Sequence, residues 1–351
     1  MKRSFCIFVT LILCIALTAC STSSSTPASV ASTPAAGSSA AASSAPETPA
    51  KRTNWPTQDI KVICGYAPGG SNDIAARVTI DAINPLMTNG KQMFVENIAG
   101  ASGTLGATEC YNAKPDGNTL MVSGSGILTT TPLVLEVIYT GADITPIATL
   151  NSSPACMVVG KDVPFDDFEG WVEWCKANPG EFTYAVAGKN TPGHISALAV
   201  AQAYGIEIEA VFFNGTADGV AQMMGGHVMG SSSKDFDYVN YVDSGECKLI
   251  YVTNDEGIWG DCDAVVKNHG IDVPFTNSIY LIGPPGMDED MVWDIYELVK
   301  DTFETELLKN SYKNVDMIPV LRDPDATKAE IEYLTNMGRD ILHSIGVETF
   351  F

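Results

Sequence analysis

The sequence predicts an α/β fold made of two lobes, and three observations support this prediction. Strand-like runs such as "DIKVICGY" and "FTYAVAG" alternate with helix-like runs such as "DFEGWVEWCKANPG", which is typical of helices that flank mainly parallel sheets. The part from Trp55 to Phe351 has about 300 residues, which is long for one hydrophobic core. Two glycine-rich turns, one early and one mid-chain, suit two lobes that each give one loop to a shared cleft.

The predicted elements follow one another in a regular order. The first strand-like run, "DIKVI", leads into a helix-like segment that places Ile74, Ala75, Val78 and Ala82 on one side. Short apolar runs predict further strands: "MFVEN", "TLMVSG", "ACMVVG", "FTYAVAG", "KLIYVTN" and "YLIGPPG". Two C-terminal segments, "DEDMVWDIYELVKDTFETEL" and "DATKAEIEYLTNMGRDILHSIG", predict the closing helices.

Residues 1–19 have the features of an export signal. Two cations, Lys2 and Arg3, precede an apolar run from Phe5 to Leu17, which is shorter than the ~20 residues that span a bilayer. The following "LTAC" resembles a bacterial lipobox, so we expect Cys20 to become the lipidated first residue of the mature chain. The alternative is ordinary cleavage that leaves Cys20 unmodified.

Residues 20–54 are expected to form a flexible tether behind that lipid. Every residue from Ser21 to Ala50 is Ser, Thr, Ala, Pro or Gly, except Val30 and Glu47. Such a segment cannot bury enough apolar area to fold, and thirty residues of this kind reach ~30 Å on average. The tether would therefore keep a folded body near a membrane and let it move.

The charge and the cysteines limit the possible functions. The formal net charge is −22, and a field of that sign repels nucleic acid and anionic lipid. A site for an anion must then rely on local hydrogen-bond donors. Outside the leader and Cys20, six cysteines are scattered along the chain and predict no particular pairing: Cys64, Cys110, Cys156, Cys175, Cys247 and Cys262.

The first glycine-rich turn lies in "CGYAPGGSNDIAAR", between a strand and a helix. Ser71 is the predicted N-cap, and Asp73 falls in the first helical turn. Because Gly69 and Gly70 have no side chains, their N–H groups could face a carboxylate at the positive end of the helix. The alternative is a tight turn before a well-capped helix, in which Asp73 only complements the helix dipole.

The second turn, "AGKNTPGHIS", has the same design. Thr191 and Pro192 predict an N-cap followed by the first helical residue. This would leave the backbone N–H groups of Gly188–Thr191 and the Thr191 hydroxyl free to donate. Lys189 could add a charge. In the alternative interpretation Lys189 is solvated and His194 is a helix residue whose hydrogen bonds are already satisfied.

Sequence motifs of enzymes and metal sites are missing. The chain has no G-x-x-x-x-G-K-[ST], no complete G-x-G-x-x-G after a strand and no G-x-S-x-G. Its four histidines are far apart and form no H-E-x-x-H. We therefore expect a protein that is not an enzyme and that has no cofactor and no metal, although a catalytic triad assembled only in space stays open.

The same residues carry a family resemblance. "WPTQDIKVICGYAPGGSNDIAARV", "VENIAGASGTLGATECYNAKPDGNTLMVSGSG" and "ANPGEFTYAVAGKNTPGH" are similar, in this order, to segments of the substrate-binding proteins of tripartite tricarboxylate transporters, also called the Bug family. The resemblance continues through "FNGTADGVAQMMGGHV" and "YLIGPPGM" and covers nearly all of the chain from Trp55.

The resemblance implies a two-lobed periplasmic-binding-protein fold of type II that closes over a small carboxylate. The first lobe would be 55–152 with 276–351, and the second lobe 153–275. Carried over residue by residue, the family's ligand-binding positions are Pro68, Gly69, Gly70, Ser71, Asp73, Gly188, Asn190, Thr191 and His194. Asp73 would either cap the turn or meet an amine or hydroxyl of the ligand.

The chain departs from the family at two places. Phe213-Asn214-Gly215 stands where the family commonly has Tyr-Lys/Arg-Gly, so a cation is missing. After the "GGxV" motif the chain has "GSSSKDFD", and we expect Lys234 to replace that charge and to face a ligand carboxylate. An exposed Lys234 without this role is the alternative.

The expected function is that of a solute-binding lipoprotein at the extracytoplasmic face of the cell membrane. It would capture a small organic anion by hinge closure, as a monomer, and deliver it to the membrane subunits of a tripartite tricarboxylate-type transporter. The alternatives are a secreted hydrolase with a spatially assembled site, and a lipoprotein that senses its ligand without transport.

Overall fold

The computed structural model describes residues 53–254, 257–259, 264–270 and 276–350 of the chain. The predictions for the leader, for Cys20, for the tether up to Arg52 and for Cys262 lie outside the described residues. Within those ranges, no helix has the length and apolar character needed to cross a membrane. The five cysteines of the described part are buried and are not joined in disulfides.

Eleven strands are present in the described part of the chain and form two sheets. Their bounds are β1 Ile60–Cys64, β2 Met93–Asn97, β3 Thr119–Gly124, β4 Thr145–Asn151, β5 Ala155–Gly160, β6 Phe182–Val186, β7 Ile208–Phe212, β8 Gly230–Lys234, β9 Cys247–Val252, β10 Ile279–Gly283 and β11 Pro319–Arg322. The first sheet has the order β11-β4-β10-β3-β1-β2, and the second has the order β7-β6-β8-β5-β9. We call each sheet with its helices a lobe.

Helices flank both sheets. Their bounds are α1 Ser71–Ile83, α2 Thr104–Tyr111, α3 Ser125–Leu128, α4 Thr131–Val134, α5 Phe168–Ala177, α6 Pro192–Tyr204, α7 Thr216–Met224, α8 Val239–Asp243, α9 Glu289–Phe303, α10 Glu306–Lys313 and α11 Pro324–Ser344. Side-chain caps start several of them, because a carboxylate at the N-cap accepts from a free N–H of the first turn. Asp167, Asp288 and Asp323 cap α5, α9 and α11 in this way.

The α/β class is confirmed, but both sheets are mixed rather than mainly parallel. β1 pairs in parallel with β2 and β3, and β6 pairs in parallel with β7 and β8. β10 and β5 run antiparallel to their neighbours. The chain enters each of these two strands from the other sheet. β10 therefore begins beside the end of β3, and β5 begins beside the end of β8, as the pairs Ile279–Gly124 and Ala155–Lys234 show. Local sequence patterns do not contain this direction.

The first sheet takes its strands from both ends of the described chain. The chain leaves it between β4 and β5, around Ser152–Ser153, and returns before β10, around Asn277. These two crossovers lie side by side, since the Asn277 N–H donates to the Ser153 carbonyl at 2.7 Å. The lobe boundaries at residues 152 and 275 stay a prediction.

Helix α11 packs on both lobes. Its residue Ile331 lies in a buried cluster with Ile127 and Tyr280 of the first lobe. One turn later, Leu334 lies in the core of the second lobe with Trp171. The closing segments of the chain therefore do not belong to one lobe alone.

The C-terminal region contains three helices where two were predicted. The first predicted helix is interrupted between α9 and α10, because the Thr305 hydroxyl accepts from the Leu308 N–H and starts a new helix. The second predicted helix is observed as α11.

Replacing Leu334 by alanine tests the packing of α11 against the second lobe. Leu334 is 1% exposed, so Leu334→Ala should lower the free energy of unfolding by about 2–5 kcal/mol. The neighbouring Tyr333 is 55% exposed, and Tyr333→Ala should change it by about 0.5 kcal/mol or less. Urea unfolding of the two variants measures both values, and equal losses would contradict this packing.

Candidate functional site

The first glycine-rich turn ends one residue earlier than predicted. Helix α1 begins at Ser71, and Gly70 is its N-cap with φ −84° and ψ 166°. Ser71 was predicted as the N-cap, which is wrong. Gly69 takes up the left-handed conformation (φ +83°) that turns the chain, so the extended residue before the helix is Gly70. Pro68 and Gly69 are exposed at the tip of this turn, whereas Gly70 and Ser71 are buried.

Asp73 holds the first turn together from within. Its carboxylate accepts from the Gly69 N–H at 2.9 Å, from Asn97 Nδ2 at 2.8 Å and from Arg77, whose Nη2 lies 2.9 Å away. Burial alone would raise the pKa of Asp73, but the hydrogen bonds from Arg77, Gly69 and Asn97 lower it. Asp73 therefore caps the turn. The predicted bare amide of Gly69 is already satisfied by the fold.

The second turn starts α6 as predicted, with Thr191 as N-cap and Pro192 as the first helical residue. Two donors predicted to be free are occupied, however. The Asn190 N–H donates to His194 Nδ1 at 3.1 Å, and the Thr191 hydroxyl donates to the Gly188 carbonyl at 3.0 Å. Left-handed backbone at Gly188 (φ +134°) and Asn190 (φ +62°) folds the turn back on itself and brings these partners together.

His194 is a neutral, buried residue of this turn. Its Nδ1 accepts from Asn190, so a neutral ring carries its proton on Nε2. Burial, and to a smaller extent the charge of Lys189, lowers the pKa of His194 to about 4. The ring also meets the Phe212 ring edge-on at 5.3 Å. The alternative of a solvated Lys189 agrees with its exposed position.

The two lobes touch each other around these turns. The first turn meets the segment before α7, where the Ala67 N–H donates to the Asn214 carbonyl at 3.2 Å. The second turn meets the first lobe, where Thr130 Oγ1 donates to the Asn190 carbonyl. At Gly188, an added Cβ would lie 2.8 Å from Ser102 Oγ. The described conformation is therefore closed.

A small polar cavity lies between the lobes. Its volume of about 20 Å³ is room for about one water molecule. Among its lining residues are Tyr66, Asn72, Thr191, Thr216, Ser233 and Lys234. Thr191 and Lys234 belong to the predicted site, whereas the other predicted residues are not part of the cavity lining. A larger pocket of about 510 Å³ lies between Val163 and Met223, but its charged residues are exposed.

Lys234 is the charged residue of this cavity. It ends β8 and is only 2% exposed, so the alternative of an exposed Lys234 is wrong. Its Nζ donates to Ser71 Oγ across the gap between the lobes at 3.3 Å. Among the described residues, no carboxylate lies within 4.0 Å of this nitrogen. Burial lowers the pKa of Lys234, although the negative charges of Asp237 and Asp235 act in the opposite direction.

Several polar groups near Lys234 are not fully satisfied. Within the described part of the chain, Asn72 Oδ1, Asn190 Nδ2 and Asp237 Oδ2 are buried without a hydrogen-bond partner. Burial raises the pKa of the Asp237 carboxyl group, although the charge of Lys234 and hydrogen bonds from Ser233, the Lys234 backbone and Ser71 act in the opposite direction. The Asp235 carboxylate is occupied by the N–H groups of Phe236 and Ile258. Buried polar groups without partners are rare in folded proteins.

The site was only partly recognisable in the sequence. Asn72, Thr216, Ser233 and Asn277 line the cavity but were not among the predicted site residues. One available signal was the run "GSSSK", because four successive small residues and a lysine give a strand no apolar face for a core. In the structure all five residues are nevertheless buried. A second signal was Thr216 directly after Gly215, which places it at the N-terminus of α7.

The electrostatics of this arrangement favour an anion. The N-terminus of a helix carries a partial positive charge, and cations are unfavourable there. Lys234 nevertheless directs its ammonium group at Ser71, the first residue of α1. A negative group placed between them would interact favourably with both.

Two α/β lobes that close over a polar cavity define a binding protein. The family described as "Tripartite tricarboxylate transporter family receptor" matches residues 76–347, and the chain belongs to this family of extracytoplasmic solute-binding receptors. Its sequence is 26% identical to the "UPF0065 protein in gbd 5'region" of Cupriavidus necator, over 77% of this chain and 82% of that protein. It is 22% identical to BugT of Bordetella pertussis, over 81% and 88% respectively.

Solved structures confirm the fold. The periplasmic binding protein BugD superimposes with a TM-score of 0.76 at 21% identity, over 84% of this chain and 99% of that chain. MatC of Rhodopseudomonas palustris, solved with bound malate, superimposes with a TM-score of 0.75 at 21% identity, over 82% and 100% respectively. An R. palustris protein solved with adipate gives 0.77 at 20% identity, over 84% and 99%.

The lowered pKa of His194 predicts a pH dependence of stability. Between its folded pKa of about 4 and the ordinary value of 6.5, the unfolded chain binds a proton that the folded chain excludes. The stability contributed by the neutral ring is thus present above pH 6.5 and is lost as the pH falls towards 4, by on the order of 3 kcal/mol.

His194→Gln, which keeps an acceptor for the Asn190 N–H but does not titrate in this range, is the matched variant. The difference in unfolding free energy between the natural protein and this variant should shrink from pH 7 to pH 4.5. Parallel pH curves for the two proteins would rule out a buried neutral histidine.

Proposed function

We propose that this protein is a solute-binding lipoprotein that captures a small carboxylate anion between its lobes and delivers it to the membrane subunits of a tripartite tricarboxylate-type transporter. Membership of the receptor family supports this proposal, as do structural neighbours solved with malate and with adipate. Lipidation at Cys20 would anchor the protein at the extracytoplasmic face, and the residues up to 54 would tether it.

One observation carries the proposal for the ligand. A buried ammonium group, Lys234, faces the N-terminus of α1 across the gap between the lobes, and no carboxylate of a described residue lies in ion-pair distance of it. A ligand carboxylate that replaces the Ser71 contact would pair with Lys234 and accept from N–H groups at the start of α1. The ligand carboxylate would then contact Lys234 of the second lobe and the positive end of α1 in the first lobe, and would so favour closure.

The magnitudes are consistent with useful affinity. A charge-assisted hydrogen bond contributes ~1.5–3 kcal/mol net, so three or four of them give ~4.5–12 kcal/mol before ordering costs are subtracted, a range that includes the ~8 kcal/mol of micromolar binding. The closed cavity of about 20 Å³ is smaller than a dicarboxylate. The lobes must therefore open to admit the ligand and then close around a larger space than the one described.

Several predicted residues take supporting roles in this proposal. Asp73 and Gly69 shape the first turn, and Asn190 and His194 shape the second. The hydrolase alternative is not favoured, because the Nδ1 of His194 is occupied and its pKa is far below the operating range of a general base.

Removing the charge of Lys234 tests its role. A screen by thermal shift with acetate, malate, adipate and citrate should find a carboxylate that stabilises the natural protein by ~2.7 kcal/mol at 100 times its dissociation constant. Lys234→Met should weaken binding of that ligand at least tenfold. The stability of this variant without ligand is measured alongside, because the buried Asp237 loses the charge that lowers its pKa. Lys189→Met, at an exposed position, is the control. Equal affinity in the Lys234 variant would exclude Lys234 from the site.

Gly70 tests the other side of the site. A Cβ at Gly70 would lie 3.5 Å from the Thr216 nitrogen, an ordinary contact, so Gly70→Ala should fold and bind. Gly70→Asp adds a negative charge where the anion is expected, and it should abolish the thermal shift that the alanine variant retains. A shift that survives in the aspartate variant would count against an anion at the N-terminus of α1.

A further inference from the structure

A buried polar cluster lies behind the cleft, where the chain passes between the lobes. The two crossovers are joined there by side chains as well as by backbone. Ser278 Oγ lies 3.1 Å from Ser152 Oγ, and a β-bridge links Pro154 with Thr276. Relative rotation of the lobes must change the backbone at these crossovers. Groups that bind them can therefore influence opening and closing.

Glu330 of α11 is the carboxylate at the centre of this cluster. Its Oε1 accepts from Ser278 Oγ at 2.7 Å, and its Oε2 accepts from Thr149 Oγ1 at 3.2 Å. Arg322 Nη1 lies 3.3 Å from Oε2. Thr149 is on β4, shortly before the first crossover, and Ser278 is in the second crossover. One side chain, only 11% exposed, thus connects α11 both to β4, which leads into the first crossover, and to the second crossover.

The helix that carries Glu330 reaches both cores. Ile331, the residue after Glu330, packs in the core of the first lobe, and Leu334 packs in the core of the second lobe. Near its end, Leu342 contacts Ile195 of α6, the helix that starts at the second turn. A change at the Glu330 carboxylate is thereby connected to the orientation of the second lobe.

Two donors of this cluster make no hydrogen bond to the Glu330 carboxylate. The Tyr280 hydroxyl is buried and makes no hydrogen bond to a described residue, although Ser278 lies close by. Arg322 Nη1 approaches Glu330 without the geometry of a hydrogen bond. A carboxylate with spare donors around it can exchange partners at low cost when the crossovers move.

We propose that Glu330 is a positioning residue that controls closure of the lobes from outside the cleft, by holding both crossovers in the closed arrangement through Thr149 and Ser278. This inference rests on the proposed function. Its consequence is that affinity depends on Glu330 without contact to the ligand, because only the closed form binds with full strength. Asn277, which precedes Ser278, lines the cavity and is the nearest link to the ligand.

The test compares Glu330→Gln with Glu332→Gln in the full-length protein. Glutamine keeps the size of Glu330 but loses the charge, and Glu332 is an exposed neighbour on the same helix. Hydrogen–deuterium exchange at Ala67, whose N–H joins the lobes through Asn214, reports opening at a place remote from the cluster. The exchange is measured without ligand and with saturating malate, and the malate dissociation rate is measured separately.

In the Glu330→Gln variant we expect the Ala67 amide to exchange about tenfold faster and malate to dissociate about tenfold faster. The reason is that a hydrogen bond to a charged group is lost. Glu332→Gln should match the natural protein. Ser278→Ala should reproduce part of the effect and add little to Glu330→Gln. Unchanged exchange at Ala67 in Glu330→Gln overturns the proposal, as does faster exchange confined to the crossovers. If malate does not bind the natural protein, the carboxylate found in the thermal-shift screen takes its place. If none of the screened carboxylates binds, the ligand proposal fails, and the exchange without ligand still decides the role of Glu330.

Discussion

The electrostatics of the closed site are set by one unfavourable contact, the approach of a buried ammonium group to the positive end of a helix. Lys234 lies at the end of β8 and reaches Ser71 at the start of α1, so this contact also joins the two lobes. Burial penalises the charge, and the helix dipole gives it no compensation. The negative charges of Asp235 and Asp237 offset part of this cost. The remaining imbalance is what makes the gap between the lobes suited to an anion.

The surroundings of this contact determine how an anion would be selected. The protein is strongly acidic, with a formal charge of −22, so long-range attraction cannot concentrate an anionic ligand. Recognition must come from short-range contacts in a site from which water is excluded. There the Coulomb energy is larger and less screened by salt than at the surface. The loops provide this exclusion, because Ser102 packs on Gly188 and Ala67 bonds Asn214 at the edges of the cavity.

The sequence contained the elements but not the partners of their side chains. Alternating segments were enough for the α/β class, and Thr191-Pro192 was enough for the start of α6. The direction of β5 and β10 was not accessible, because it follows from the route of the chain between sheets. The occupied amide of Gly69 was also not accessible, since Asp73 is four residues away and meets it only in the folded turn. Lys234 was found through its departure from the family, but its burial required the structure.

The location of Glu330 separates two properties that a binding protein must balance. In our two proposals, Lys234 and α1 recognise the charge of the ligand inside the cleft, whereas closure is controlled where Thr149, Ser278 and α11 meet. A contact made only behind the cleft changes the fraction of closed protein and affects all ligands equally. A contact made inside the cleft changes the ratio between ligands. Affinity could therefore be lowered to allow release to a transporter, while the preference for one anion over another is left intact.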